Sequence, residues 1–296
     1  MLTYVFPGQG SQKVGMGGEL FDEYKDLTAK ADEILGYSIK KLCLEDPDEL
    51  MGNTQYTQPA IYVVNALSYI KKIEAAGKKP DYVAGHSLGE YNALLAASAF
   101  DFETGLELVK KRGELMSAVT GGAMGSVIGL DEEQVREILK ENHLDAIDIA
   151  NLNSPRQIVI SGPEGDIKNS KVIFEKNEKL RLFVMLNVSG AFHSRYMAES
   201  RKEFEKIIDM VKFQPLAIPV ISNVYARKYN NSAIKSTLAM QMDHSVKWNE
   251  TICYLRGMGE MDFEEIGPGN VLTGLIRRIE REAEPLIIKD KIEEEA

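Results

Sequence analysis

A mixed α/β fold is what the sequence predicts: an α/β core closed by both ends of the chain, with a small ferredoxin-like βαββαβ unit inserted between them. Three observations predict it. Short β-rich apolar runs alternate with helix-forming runs up to Gly121-Gly122. After that glycine pair the rhythm becomes β-α-β-β-α-β within about 70 residues. Past His193 the strand-helix alternation returns.

Leu2 to Phe6 is a β-rich run that Pro7-Gly8 ends, so a strand opens the chain. Gln58 to Ala76 carries apolar residues at helical spacing, and Gly77 supplies a C-terminal cap. Pro80 leads into a second strand, Tyr82-Val83-Ala84. Leu88 to Ala99 is strongly helix-forming, and another helix follows from Phe102 to about Val119. In the inserted unit, strands are expected over 123–130, 146–151, 157–161 and 180–187, with helices over 131–141 and 166–176. Residues 219–222 and 262–266 read as further core strands. The expected division is a large part, 1–122 and 193–296, and a small part, 123–192. No repeat, low-complexity linker or coiled coil is present.

The composition suits this plan. Of 296 residues, 44% are hydrophobic and 27% charged, as in a soluble globular protein with a substantial core. A net charge of -10 argues against nucleic-acid binding. The acidic runs Asp131-Glu132-Glu133 and Glu293-Glu294-Glu295 read as solvated surface. Cys43 and Cys253 stand far apart, without CxxC or His-rich spacing, so neither a disulfide framework nor a zinc site is expected. The start MLTYVFPGQG lacks the basic and apolar regions of a signal peptide. No apolar stretch approaches the roughly 18 residues that span a bilayer. A cytosolic protein is expected, with nothing demanding more than a monomer.

Gly85-His86-Ser87-Leu88-Gly89 has the spacing G-x-S-x-G between a strand and a helix. This is the pattern of a nucleophile elbow, with the serine at the apex of a sharp turn, and it makes the expected core α/β-hydrolase-like. An ordinary strand-to-helix loop is the plain alternative. Serine needs a base to remove its proton. His86 adjoins Ser87 on the same turn, so its ring should point away. His143 lies in a polar segment, and His244 follows a polar turn. His193 sits at the exit from the inserted unit, where a cleft between lobes would open. A buried, satisfied histidine is the other reading of it. The loop Phe6-Pro7-Gly8-Gln9-Gly10-Ser11-Gln12 could bring a second oxyanion donor beside the Leu88 N–H. Its spacing fits neither GxxxxGK[ST] nor GxGxxG.

Together these pieces resemble the malonyl-CoA:acyl carrier protein transacylase family. The resemblance is carried by FPGQGSQ at 6–12, GHSLGEY at 85–91, the arginine of KKRGELM at 110–116 and GAMGSVIGL at 122–130. GAFHSRYM at 190–197, Gln241 with VKW at 246–248, and EEIGPGNVLTGLI at 264–276 complete it. It spans residue 1 to about 287 in the family's order and spacing. It implies that Ser87 carries the acyl group, that His193 is general base and then general acid, and that the N–H groups of Gln9 and Leu88 form the oxyanion hole. The backbone carbonyl at Gln241 would orient the histidine, and Arg112 would pair with the free carboxylate of malonyl. A planar guanidinium suits that task, although Arg112 in Lys110-Lys111-Arg112 also reads as a solvated cation.

Ala191 stands where fatty-acid-type members commonly have proline before the Phe-His pair. The string GAFHSRYM resembles free-standing acyltransferases that serve polyketide synthases in trans, and Phe192 fits a malonyl preference. The expected function is malonyl transfer from malonyl-CoA to an acyl carrier protein through a seryl ester, with no cofactor or metal. Alternatives are a hydrolase clearing stalled acyl chains, the malonyl transacylase of fatty acid synthesis, a non-catalytic docking module and a nucleotide-binding regulator.

Overall fold

A computed structural model of the chain describes residues 1–288. In chain order its strands are β1 (Leu2–Phe6), β2 (Tyr82–Gly85), β3 (Gly122–Ile128), β4 (Asp148–Ser154), β5 (Gln157–Pro163), β6 (Leu182–Met185), β7 (Val220–Ile221) and β8 (Asp262–Glu265). They form two sheets. One is wholly parallel, in the order β7-β2-β1-β8; the other is antiparallel, in the order β4-β5-β3-β6. The fold is therefore mixed α/β. Glu293-Glu294-Glu295 lies outside the described residues.

Burial explains the strand sequences. Tyr4, Val5 and Phe6 of β1 are all buried, as in a parallel sheet covered on both faces, so the run needs no polar alternation. In the antiparallel sheet the two faces go to different cores. Ala123 and Val127 of β3 pack with Ile158 and Ile160 of β5 against the helices Glu132–Glu141 and Glu164–Phe174. Met124 and Val159, one position out of step, join the main core with Phe6 and Leu88. The second sheet is thus welded to the first through one of its faces.

Boundaries depart from the sequence reading for local reasons. The helix expected from Gln58 begins at Thr54, because the Asn53 side chain caps it by accepting from the Gln55 N–H; its end at Gly77 is as expected. The helix after the elbow is shorter, Gly89–Ala96. β4 starts late because Ile147 is still in a turn bonded to Leu144, and it runs on to Ser154 because that residue pairs with Gln157 across a tight turn. Asp131, expected as solvated surface, caps the helix Glu132–Glu141 in a capping box with Gln134. Residues 20–44, left unassigned by periodicity, fold into the helices Leu20–Glu23, Lys25–Leu35 and Ile39–Leu44.

The elbow explains the glycines of G-x-S-x-G. A Cβ on Gly85 would fall 1.9 Å from the carbonyl carbon of Gly89, and one on Gly89 would fall 2.0 Å from the Phe6 carbonyl oxygen. No side chain fits where strand, turn and helix cross. Gly89→Ala is expected to lower stability by about 2 kcal/mol or more in denaturant unfolding. Gly274→Ala is the contrast: it lies in the helix Val271–Glu282 with nothing within 4 Å of an added Cβ. It should raise stability by about 0.5–1 kcal/mol.

Candidate active site

Ser87 and His193 meet. Ser87 sits between the end of β2 and the helix Gly89–Ala96, with φ of 50°, and His193 follows the antiparallel sheet with φ of 56°. Both hold left-handed backbone that side-chain-bearing residues seldom adopt, a strain typical of functional sites. Each is clamped in place. The Ser87 N–H donates to Asn223 Oδ1 at 2.7 Å, and the His193 N–H donates to the Met242 carbonyl at 3.1 Å. Across the cleft, Ser87 Oγ lies 2.7 Å from His193 Nε2.

The other ring nitrogen fixes the tautomer. His193 Nδ1 is 2.8 Å from the Gln241 backbone carbonyl, which can only accept. Nδ1 therefore carries the proton, and Nε2 presents a lone pair to the Ser87 hydroxyl. Burial, followed by the nearby Arg112 charge, pushes the His193 pKa down to about 3, so the ring is a neutral base at working pH.

Arg112 is drawn into the same cluster. It is 1% exposed, on the inner face of the helix Phe102–Ser117, whereas Lys111 beside it is exposed. Its Nη1 donates to Gln58 Oε1 at 2.6 Å; its Nη2 donates to Gln241 Oε1 at 2.8 Å and to Ser87 Oγ at 3.1 Å. Tyr91 lies under the guanidinium, 5.6 Å from ring centroid to Cζ. All these partners are neutral. No carboxylate pairs with Arg112 among the described residues, and burial holds its pKa below the usual arginine value. Glu90, buried nearby, interacts with this charge without forming an ion pair, so an anionic group entering the cleft would meet a cation that has only neutral hydrogen-bond partners.

Opposite the hydroxyl run the two expected oxyanion donors. Neither the Gln9 nor the Leu88 N–H makes a backbone hydrogen bond among the described residues. Their loops touch: a Cβ on Gly8 would lie 3.5 Å from the Leu88 nitrogen. Gln9, Ser87, Leu88, Arg112, Phe192 and His193 all line one cavity of about 90 Å³, floored by Met116, Met124 and Leu186.

The other histidines stand apart. His86 Nε2 bonds Asn153 Oδ1 at 2.7 Å, and its ring packs edge-on against Trp248. His143 is exposed, and His244 pairs with Asp243. Sequence reasoning missed a layer beneath the serine. Glu90 is fully buried and accepts from Tyr229 Oη at 2.5 Å, Gln241 Nε2 at 2.6 Å and the Asn223 N–H at 3.1 Å; burial raises its pKa to about 7. The signal was available, since Glu90 is an acid inside the otherwise uncharged helix GEYNALLA. Gln58 and Asn223 carried none, being ordinary polar residues until tertiary contacts select them.

The sequence matches the acyl transferase domain family over residues 3–290. It is 62% identical, over 97% of its length, to the polyketide biosynthesis malonyl CoA-acyl carrier protein transacylase PksC of Bacillus subtilis (strain 168), 99% of which is covered. It is also 62% identical to the polyketide biosynthesis protein PksE of that strain, but there the chain spans only 37% of the longer relative. The crystal structure of malonyl CoA-acyl carrier protein transacylase from Burkholderia pseudomallei superposes with a TM-score of 0.93 at 48% identity, over 96% of this chain and 99% of that one.

The His193 environment has a direct test. The two largest causes of its shift disfavour imidazolium and outweigh the backbone hydrogen bonds that favour it, so as pH falls the ring should stay neutral until about 3. Nitrogen-detected NMR should show a proton on Nδ1 across about pH 5–8, where a free histidine would titrate. A midpoint near 6.5 would contradict the geometry.

Proposed function

This chain belongs to the acyl transferase domain family, and we propose that it is a malonyl-CoA:acyl carrier protein S-malonyltransferase working in trans for a polyketide synthase. The observation that carries this reading is Arg112: a buried guanidinium without a carboxylate partner among the described residues, 3.1 Å from the nucleophile. It calls for an acyl group with a carboxylate a short way from its thioester carbonyl, as malonyl has. The likeness to PksC supports the polyketide setting over fatty acid synthesis. Phe192, buried against the cavity, favours an unbranched malonyl.

Loading begins when His193 Nε2 takes the Ser87 proton and Oγ attacks the thioester carbonyl of malonyl-CoA. The Gln9 and Leu88 N–H groups hold the resulting oxyanion. As the carbon–sulfur bond breaks, His193 returns the proton to the CoA sulfur, leaving malonyl as an ester on Ser87. The phosphopantetheine thiol of the carrier then gives its proton to His193 and attacks the ester, and Ser87 leaves with that proton. The Gln241 carbonyl keeps the ring in register throughout. A malonyl carboxylate on Arg112 also offsets the charge that depresses the His193 pKa, so the base strengthens when the correct substrate is bound. We assign residues 1–122 and 193–296 to an α/β-hydrolase-like part and 123–192 to a ferredoxin-like part, a reading supported by the strand order β4-β5-β3-β6. Among the described residues no helix is long and apolar enough to cross a membrane, and we assign the protein to the cytoplasm.

Mass spectrometry after brief exposure to malonyl-CoA should find malonyl on the Ser87 peptide and none in Ser87→Ala. Free malonate released faster than carrier is loaded would point to a hydrolase instead. Arg112→Ala should cost malonyl transfer about ten- to a hundredfold in kcat/KM, the worth of a charge-assisted pair, while partly sparing acetyl transfer. Gln241→Ala keeps the carbonyl behind His193 but removes the side chain that positions Arg112. Malonyl-over-acetyl preference should therefore fall more than acetyl transfer itself.

A further inference from the structure

Glu90 takes no part in the transfer steps above, yet its side chain is fully buried three residues from Ser87. It does not line the catalytic cavity, so it stands behind the site and not in contact with substrate. A carboxyl group this deep has to be satisfied by the protein itself.

Each of its oxygens faces a group that can only donate. Oε1 accepts from the Asn223 N–H at 3.1 Å, and also from Tyr229 Oη at 2.5 Å. Oε2 accepts from Gln241 Nε2 at 2.6 Å. The same nitrogen donates to the Ser87 carbonyl at 2.7 Å, which fixes the Gln241 amide with its oxygen on the far side. That oxygen accepts from Arg112 Nη2 at 2.8 Å. Contacts therefore run from Glu90 to Gln241 to Arg112, with donor and acceptor set at every link.

We propose that Glu90 is a positioning residue for malonyl recognition: it holds the Gln241 amide with its oxygen toward Arg112, and so aims the guanidinium at the acyl carboxylate. This rests on the reading of the chain as a malonyl transferase. A carboxyl group is required here, because an amide of the same size must turn its NH2 onto one of the two donors. With its oxygen kept toward Asn223 and Tyr229, two hydrogen bonds survive and the NH2 faces Gln241. Two NH2 groups cannot satisfy each other. The Gln241 amide then withdraws or reverses, and Arg112 Nη2 loses its acceptor.

Glu90 also acts on Arg112 through charge. Among the described residues, the titratable groups that interact with Glu90 are Arg112, Tyr229 and Tyr91. Burial raises the Glu90 pKa to about 7, while its three hydrogen bonds and the Arg112 charge favour the anion. As pH rises through that value the anion offsets part of the Arg112 charge, and malonyl is drawn in less strongly. At lower pH the proton can sit on Oε1 and point to Tyr229 Oη, which leaves the Gln241 amide in place.

The test is the ratio of kcat/KM for malonyl-CoA to that for acetyl-CoA, which cancels effects common to both donors. In the wild-type chain this ratio should fall as pH rises through about 7. At about pH 6, where Glu90 is neutral, Glu90→Gln should lower it about tenfold through KM for malonyl-CoA, and it should also abolish the pH dependence. Tyr229→Phe removes one bond that favours the anion and leaves Gln241 and Arg112 untouched, so the midpoint should move up in pH. That variant carries the test if Glu90→Gln does not fold. A Glu90→Gln ratio within about twofold of wild type would overturn the proposal, as would a Tyr229→Phe profile that coincides with wild type. Equal losses for both donors would do so too, since they would make Glu90 a brace of the elbow alone. Free malonate, titrated by calorimetry, reads the Arg112 end without turnover, and Glu90→Gln should weaken it by a similar factor. Wild-type protein that binds malonate but never acquires malonyl on Ser87 would sink the transferase reading alone.

Discussion

A guanidinium that is 1% exposed must find its hydrogen-bond partners within the protein, and Arg112 finds only neutral ones. Much of the site follows from that constraint. The partners come from three separate elements: Gln58 on the helix Thr54–Ala76, Gln241 just after the helix Ile234–Met240, and Ser87 at the elbow. The two terminal nitrogens of one buried cation, bonded to all three, therefore tie these elements together, while its Nε has no hydrogen-bond partner. No carboxylate forms an ion pair with that charge among the described residues, although the buried Glu90 interacts with it; burial first and the Arg112 charge second lower the His193 pKa. One residue thus tunes the proposed base and selects the proposed acyl group.

Gln241 is the second tie point. Its carbonyl holds His193, its side-chain oxygen accepts from Arg112, and its amide nitrogen donates to the Ser87 carbonyl at 2.7 Å and to Glu90. Glu90 in turn is bonded to the Asn223 N–H, while the Asn223 side chain accepts from the Ser87 N–H and donates to the Gly85 carbonyl at 2.6 Å. The elbow is strained at Ser87, and this web of buried hydrogen bonds holds the strained turn. A buried polar network of this kind is costly if any member lacks a partner, so its members specify a single arrangement.

The antiparallel sheet serves both cores because β3 and β5 are buried on both faces. Its odd-numbered β3 positions pack on its own helices, while the even-numbered ones face the main core and the cleft. The cavity wall is therefore part of a hydrogen-bonded ladder, in which Met124 of β3 and Leu186 beyond β6 stand side by side. In the proposed reaction that apolar wall helps exclude water from the ester.

Sequence alone determined what short-range physics encodes. The G-x-S-x-G run pointed to a tight turn between strand and helix, and the structure adds why its glycines are needed, since a Cβ on Gly85 or Gly89 has no room. Apolar periodicity placed the strands and five of the helices, those between Thr54 and Phe174, to within a few residues, and the family motifs pointed to Ser87, His193, Arg112 and Gln241. Local sequence could not distinguish Arg112 from Lys110 and Lys111, since burial is a property of the helix face that packing selects. The pairing of Ser87 with His193 spans 106 positions, so only tertiary structure could bring them to 2.7 Å. Gln58 and Asn223 entered the site for the same reason: their roles are hydrogen bonds between distant segments, which left no mark on the sequence around either; Glu90 alone left one, as an acid in an otherwise uncharged helix.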